Sequence, residues 1–311
     1  MGGFRFRGGG RGKEMGVVEV DWHDFAYVTY ATQMEYLCNS VMLLESLVRL
    51  GVKAELLLLY DHTLELNLLA LKLLAKAREE FGAKLQAVDI QILPTAEDQV
   101  PATGASSFMK LLAFNQTQYR RVLMLDSAST VLRPMDELFL LPSARVAMPR
   151  AYWSQRAEER AVPEFCDALA LIEPSNSEWE LFHEAIAARE QGESDMEIMS
   201  RLYGSEAMVL PHRGYALLTS EFAAEGHGAY LGNPGETWDA EEVLTEAKFV
   251  HFSDYLLPKP WIAVEEAMVE SARPKCRVVD EDGGKECKDR GVWEALRRDF
   301  GARRKVSNSL L

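Results

Sequence analysis

Short apolar runs alternate with amphipathic stretches along the first half of the chain. Phe25-Ala-Tyr-Val-Thr-Tyr30 reads as a strand buried on both faces. Met34–Leu50 follows as a helix, with Leu37, Val41, Leu44, Leu47 and Val48 at helical spacing and Gly51 placed as its C-terminal cap. The alternation then repeats. Ala54–Tyr60 is a second strand ending in Asp61, Asn67–Phe81 a helix stopped at Gly82, and Val88–Leu93 a third strand closed by Pro94. Phe108–Asn115 reads as a helix and Val122–Leu125 as the next buried strand. This order predicts an α/β fold with a mixed, mostly parallel central sheet and helices on both faces.

The second half is less regular. Arg145–Met148 and Ala168–Ile172 are short strand candidates, Ser177–Arg189 and Asp195–Tyr203 helices, and Lys248–Phe252 a late strand. No internal repeat is evident. Residues 1–16, rich in Gly and Arg, read as a disordered tail, 17–262 as one α/β domain, and 263–311 as a short helical extension.

With 311 residues the chain can bury one large core or two modest ones. Hydrophobic residues at 48% beside 26% charged ones describe an ordinary globular protein. The net charge of -14 argues against a nucleic-acid or anionic-membrane partner, either of which needs a basic face. No apolar run approaches the roughly 18 residues of a membrane span. Residues 1–14 lack the apolar centre of a signal peptide. Cys38 and Cys166 lie in apolar contexts suited to buried thiols. Cys276 and Cys287 flank Asp280-Glu-Asp-Gly-Gly-Lys285, a turn-rich loop that could join them in a disulfide and imply an oxidising compartment. Spacing alone leaves the free-thiol alternative open.

Chemistry concentrates where Val122-Leu-Met-Leu125 gives way to Asp126. In open α/β sheets the carboxyl ends of the strands are where ligands bind. A carboxylate two residues further on would complete a cation site, but Ala128 stands there. No Gly-x-Gly-x-x-Gly follows the first strand, which argues against a dinucleotide-dependent oxidoreductase.

Four segments together carry a resemblance. They are Tyr27-Val-Thr-Tyr-Ala-Thr-Gln-Met-Glu-Tyr36, then Lys110-Leu-Leu-Ala-Phe-Asn-Gln-Thr-Gln-Tyr119 running into the Asp126 motif, Asp195-Met-Glu-Ile198, and His251-Phe-Ser-Asp-Tyr-Leu-Leu-Pro-Lys-Pro-Trp261. In this order the chain resembles the glycosyltransferase family 8 (glycogenin-like) enzymes, and is most similar to the fungal alpha-N-acetylglucosaminyltransferase-like branch, over roughly Phe25 to Trp261. The resemblance implies a GT-A (Rossmann-like) fold, a UDP-sugar donor, a divalent cation (usually Mn2+), and transfer with retention of configuration.

Carried over residue by residue, it makes Asp126 and His251 metal ligands, and it places Ala128 where the family has a second Asp. Ser127 and Ser129 offer only neutral hydroxyls there. The residue-level alternatives are a turn cap for Asp126 and a core position for His251. Lys259, stiffened by flanking prolines, would donate to the departing diphosphate, and Lys110 would contact donor phosphate or sugar, unless it is a helix-surface charge. Tyr30, Ala31, Thr32, Gln33, Tyr36 and Ser127 would hold the nucleotide sugar, with Thr32 doubling as N-cap. Asp195 would sit beside the donor sugar, with Glu197 as a further catalytic candidate, although Ser194-x-x-Glu197 also reads as a capping box. Cys166 and Asp167 depart from the small polar residues expected at their places. Trp153 and Trp261 are candidates for stacking on a sugar ring.

The implied function is a retaining transferase moving N-acetylglucosamine or glucose from a UDP-sugar to a glycan or glycoconjugate. The alternative is a GT-A protein weakened or inactivated at Ala128 that binds nucleotide or a partner. The resemblance suggests a Golgi lumen setting, with cytoplasm as the alternative, and leaves a homodimer open.

Overall fold

Strand β4 (Arg121–Leu125), buried at every position, lies at the centre of a seven-stranded sheet in the computed structural model, which describes residues 19–89, 108–154, 164–190, 193–254, 257–278 and 285–309. The sheet order is β3-β2-β1-β4-β7-β6-β8. Strands β1 (Phe25–Ala31), β2 (Glu55–Asp61), β3 (Lys84–Val88) and β4 run parallel. β7 (Leu169–Ile172) is antiparallel to β4 and to β6 (Val146–Pro149), and β8 (Met208–Leu210) pairs parallel with β6.

Continuous apolar runs become central strands because both faces are covered. On one face, Tyr27, Leu58 and Leu123 pack with Leu37, Val41 and Leu44 of α1 (Met34–Arg49) and with Leu73 and Leu74 of α2 (Leu68–Glu79). On the other, Val28, Leu57 and Met124 pack with Phe114, with Phe182 of α3 (Asn176–Ala187), and with Ile198 and Tyr203 of α4 (Asp195–Tyr203). Val48, expected on the buried stripe, is 43% exposed. It follows Leu47 by one position, which turns it about 100° away from the sheet. Gly51 ends α1 at φ 70, the left-handed conformation its missing Cβ permits.

Three local expectations change. The third strand is Lys84–Val88 and meets the expected Val88–Leu93 only at Val88, while residues 90–107 lie outside those described. β2 ends at Asp61, which pairs with Val88, so no ladder partner remains beyond it. Phe108–Asn115 forms tight 3-10 turns. The N-cap of α1 is Gln33, not Thr32, because the first helical bond runs from the Leu37 N–H to the Gln33 carbonyl. The expected tail, 1–16, also lies outside the described residues.

A small second sheet, unforeseen in the sequence, frames the end of β4. In it β10 (Phe249–His251) runs antiparallel to β5 (Ser129–Val131) and parallel to β9 (Leu217–Leu218). The register sets His251 opposite Ser129, and the Phe252 N–H donates to the Ala128 carbonyl at 2.9 Å.

The C-terminal residues share the core cluster of the sheet and α1 through Val292, Trp293, Leu296 and Phe300. The last helix, Lys288–Ser309, buries Trp293 and Phe300, and Arg303 donates to the Met42 carbonyl of α1 at 2.8 Å. Cys276 and Cys287 form a disulfide, which decides between the two sequence readings, and Cys38 and Cys166 are buried thiols outside it. No helix among the described residues is long and apolar enough to cross a membrane.

Candidate active site

Asp126 emerges from β4 into a tight turn. Its N–H donates to the Ala168 carbonyl at 2.9 Å, and its Oδ1 accepts the Ala128 N–H at 2.7 Å. Its Oδ2 accepts from the Tyr30 hydroxyl at 3.1 Å, and Ser129 Oγ donates to its carbonyl. The turn-cap reading is therefore realised, and it orients the carboxylate at the strand edge. Burial opposes charge on Asp126, but His251, Lys110, Lys259 and the Ala128 N–H outweigh it and hold its carboxyl below the usual range.

His251 lies beside this turn. Burial, and then the nearby Lys259 charge, push its imidazole down to about 4 against the pull of Asp126 and Asp167. It is neutral at pH 7, the form that ligates metals and accepts hydrogen bonds. Lys259 donates to the Phe252 carbonyl at 2.6 Å, and burial draws its ammonium below the ordinary lysine range. A cavity of about 320 Å³ adjoins it, lined by Phe252, Asp254, Leu257 and Ile262 among others. A larger cavity of about 520 Å³ lies elsewhere, among Met42, Glu45, Lys76 and Arg303 on the helical layer, away from this chemistry.

Lys110 is no surface charge. Its side chain is 6% exposed, with Nζ 2.5 Å from Asp167 Oδ2 and ion-paired to Asp195 as well. This link joins the turns before β4, the segment before β7, and the first residue of α4. Asp167 is the member that sequence reasoning did not assign a role. Its only signal was a carboxylate where small polar residues were expected, and no local spacing pairs it with a lysine 57 positions away.

The remaining candidates divide. Tyr30 and Ala31 end β1 in the core, Tyr30 against Asp126 and within the influence of Asp167. Thr32 is half-buried and Gln33 exposed at the helix start. Tyr36 stands edge-on to Trp261, ring centroids 5.7 Å apart. Glu197 accepts from the Ser194 N–H at 3.0 Å and from its hydroxyl at 3.1 Å, closing the capping box, so its carboxylate serves the helix start. Trp153 packs edge-on to Tyr152, which contacts His212 and Tyr230, so the structure does not join it to the Asp126 cluster.

Asp126 and His251 offer a divalent cation one carboxylate and one imidazole. Ala128, 2% exposed, presents a methyl group, and Asp167 is committed to Lys110. Ser127 Oγ is buried without a hydrogen-bond partner among the described residues, but a neutral hydroxyl is a poor substitute for a carboxylate. Among the described residues no group of three His, Cys, Asp or Glu side chains could hold a metal ion. As arranged, the donor set does not fit manganese.

No family model matches the chain. It is 45% identical over 289 residues to "Glucose N-acetyltransferase 1" of Gibberella zeae, covering 90% of this chain and 62% of that protein. It is 40% identical over 321 residues to "Glucose N-acetyltransferase 1" of Aspergillus fumigatus, covering 93% of this chain and 78% of that one. The chain belongs to the glucose N-acetyltransferase 1 family. A shorter match, 31% identical over 118 residues, is to "UDP-glucuronate:xylan alpha-glucuronosyltransferase 2" of Arabidopsis thaliana, covering 38% of this chain and 18% of that protein.

Among solved structures, the bifunctional glycosyltransferase WbbM superimposes with a TM-score of 0.57 at 15% identity, over 76% of this chain and 46% of that one. The galactosyltransferase LgtC, solved with donor and acceptor sugar analogues, gives 0.52 at 13% identity, over 90% and 95%. These likenesses show the fold, and this family member has the GT-A architecture expected of it. The chain spans 62% of the length of the Gibberella zeae relative.

Proposed function

We propose that the chain is a retaining, UDP-sugar-dependent glycosyltransferase of family 8, glycogenin-like, carrying N-acetylglucosamine or glucose to a glycan or glycoconjugate acceptor. One observation carries this reading. Two ammonium groups, the buried Lys110 and the half-buried Lys259, converge with Asp126, His251 and Tyr30 at the carboxyl edge of β1 and β4. A diphosphate is the ligand such an edge suits, since ammonium groups there meet charge that grows as the sugar–phosphate bond breaks. Tyr36 and Trp261 flank the same edge and suit a base or a sugar face.

The names of the relatives combine glucose with an N-acetyl group, and the Arabidopsis relative's name states a UDP-sugar. Read literally, the first name describes acetyl transfer, but the GT-A fold favours glycosyl transfer. In the proposed reaction Lys259 and Lys110 stabilise the leaving UDP. Asp195, held by Lys110, steadies positive character at the anomeric carbon while the acceptor hydroxyl attacks from the same face. Ala128 favours a second reading, in which the site binds nucleotide but turns over slowly.

Incubating the full chain with UDP-N-acetylglucosamine or UDP-glucose, and following UDP release, tests the proposal. Release that requires Lys259 supports it. Nucleotide binding without release for any UDP-sugar favours the second reading.

A further inference from the structure

The site holds its own anion. Lys110 carries two carboxylates, and they are not equivalent. Asp195 is as deeply enclosed as the lysine, 6% exposed, and its Oδ1 accepts the Met196 N–H at 3.0 Å. Asp167 is 23% exposed and sits in the short segment ahead of β7. Of the two, Asp167 is the one that can turn out into water at small cost.

The charges around the site make that exchange consequential. Around the site the carboxylates of Asp126, Asp167 and Asp195 outnumber the ammonium groups of Lys110 and Lys259 by one. A diphosphate entering this arrangement meets net negative charge. A divalent cation would relieve that, but the third ligand is a buried methyl at Ala128 and the nearest spare carboxylate is tied to Lys110. If Asp167 leaves, the remaining charges balance and Lys110 is open on one side. A phosphate oxygen then replaces a carboxylate oxygen on the same ammonium, exchanging one charge-assisted hydrogen bond for another. The diphosphate also reaches Lys259, whose neighbourhood includes both Asp126 and Asp167.

From this geometry we infer that Asp167 is a built-in stand-in for a donor phosphate, displaced from Lys110 when a nucleoside diphosphate binds, and that binding needs no divalent cation. The inference rests on the reading of this edge as a UDP-sugar site, and it assigns Asp167 and Lys110 a specific exchange within it. Asp167 acts on affinity and is not a catalytic residue.

Calorimetric titration of the full chain with UDP, once in EDTA and once in manganese, tests it. UDP should bind in EDTA within about twofold of its affinity in manganese. Asp167→Asn should tighten binding by roughly fivefold, and Lys110→Met should weaken it by about tenfold or more, the scale of one charge-assisted hydrogen bond. Asp167→Ser removes the same charge with a different side chain and should behave as Asp167→Asn does, with thermal melting curves reporting the fold. Binding seen only with manganese, or affinity unchanged or lowered in both Asp167 variants, overturns the inference and leaves the donor-site reading standing. Absence of UDP binding in both conditions overturns both.

Discussion

Tyr30, the last residue but one of β1, and Asp126, the first residue beyond the adjacent parallel strand β4, are joined by a 3.1 Å hydrogen bond in which the phenol donates. Burial, and then the Asp126 charge, hold the Tyr30 hydroxyl well above its ordinary range, so it stays a donor at any working pH. Tyr30→Phe removes this donor and frees Asp126 to turn. Because the ring itself remains, melting should move by only a few degrees, while UDP affinity should fall by roughly three- to tenfold, the worth of one buried hydrogen bond. Calorimetry beside a melting curve separates the two effects.

Lys259 is expected to matter more for turnover than for binding. Its bond to the Phe252 carbonyl holds the ammonium in place before the donor arrives, so its contribution grows as charge develops on the leaving diphosphate. Lys259→Met should lower kcat by about 100-fold, on the scale of other preorganised charge stabilisers, with a smaller change in KM. Equal losses in kcat/KM and 1/KM would show instead that the lysine only binds the ground state.

His251 gives a pH signature in a window of its own. Its imidazole titrates near 4 in the folded protein and near 6.5 when unfolded. Between those values the unfolded chain binds the extra proton, so stability falls as the pH drops from 6.5 towards 4. Asp126 works at lower pH, since its folded carboxyl lies below the ordinary carboxylate range. Urea midpoints measured from pH 7 to pH 4.5 should decline in the wild-type chain, and the decline should be shallower in His251→Asn.

Much of this was legible before any coordinates. β1, β2 and β4 are covered on both faces, so burial writes itself into the sequence as continuous apolar runs, and Asp126 interrupts one of them. The strand-and-helix order pointed to the α/β architecture for the same reason. β5 and β9 are only two or three residues long and cannot display a period, so the small sheet that delivers His251 stayed hidden. β3 is an edge strand with half-exposed positions, and its boundary came out wrong. The Lys110–Asp167–Asp195 link depends on three distant segments, which no local pattern encodes. Glu197 looked chemical and structural at once, and the capping box shows where its carboxylate goes.

The Cys276–Cys287 disulfide, at a sequence separation of 11, encloses the paired segments Arg277–Val278 and Lys285–Glu286 and stands immediately before the helix Lys288–Ser309. That helix places Trp293, Phe300 and Arg303 against the domain, so its entry point influences the core. A loop of this length contributes on the order of 3 kcal/mol through the unfolded chain. Reduction, or the Cys276→Ser/Cys287→Ser pair, should lower the melting temperature by several degrees without abolishing the cooperative transition.

Ala128→Asp is the sharpest probe of how this edge handles charge. The new carboxylate would sit two residues from Asp126, in a turn whose N–H already serves Asp126 and whose present side chain is 2% exposed. Without a cation, two carboxylates in one enclosed turn repel, and burying the second costs further, so the variant should melt below wild type in EDTA. With manganese the same carboxylate becomes the third donor beside Asp126 and His251, and ligand binding to the folded state alone raises stability by mass action. The variant should therefore show a manganese-dependent rise in melting temperature that saturates, where wild type shows little. A loss in EDTA without recovery in manganese would mean that the turn cannot bring these side chains together, and that the edge is built around its lysines even when a carboxylate is restored.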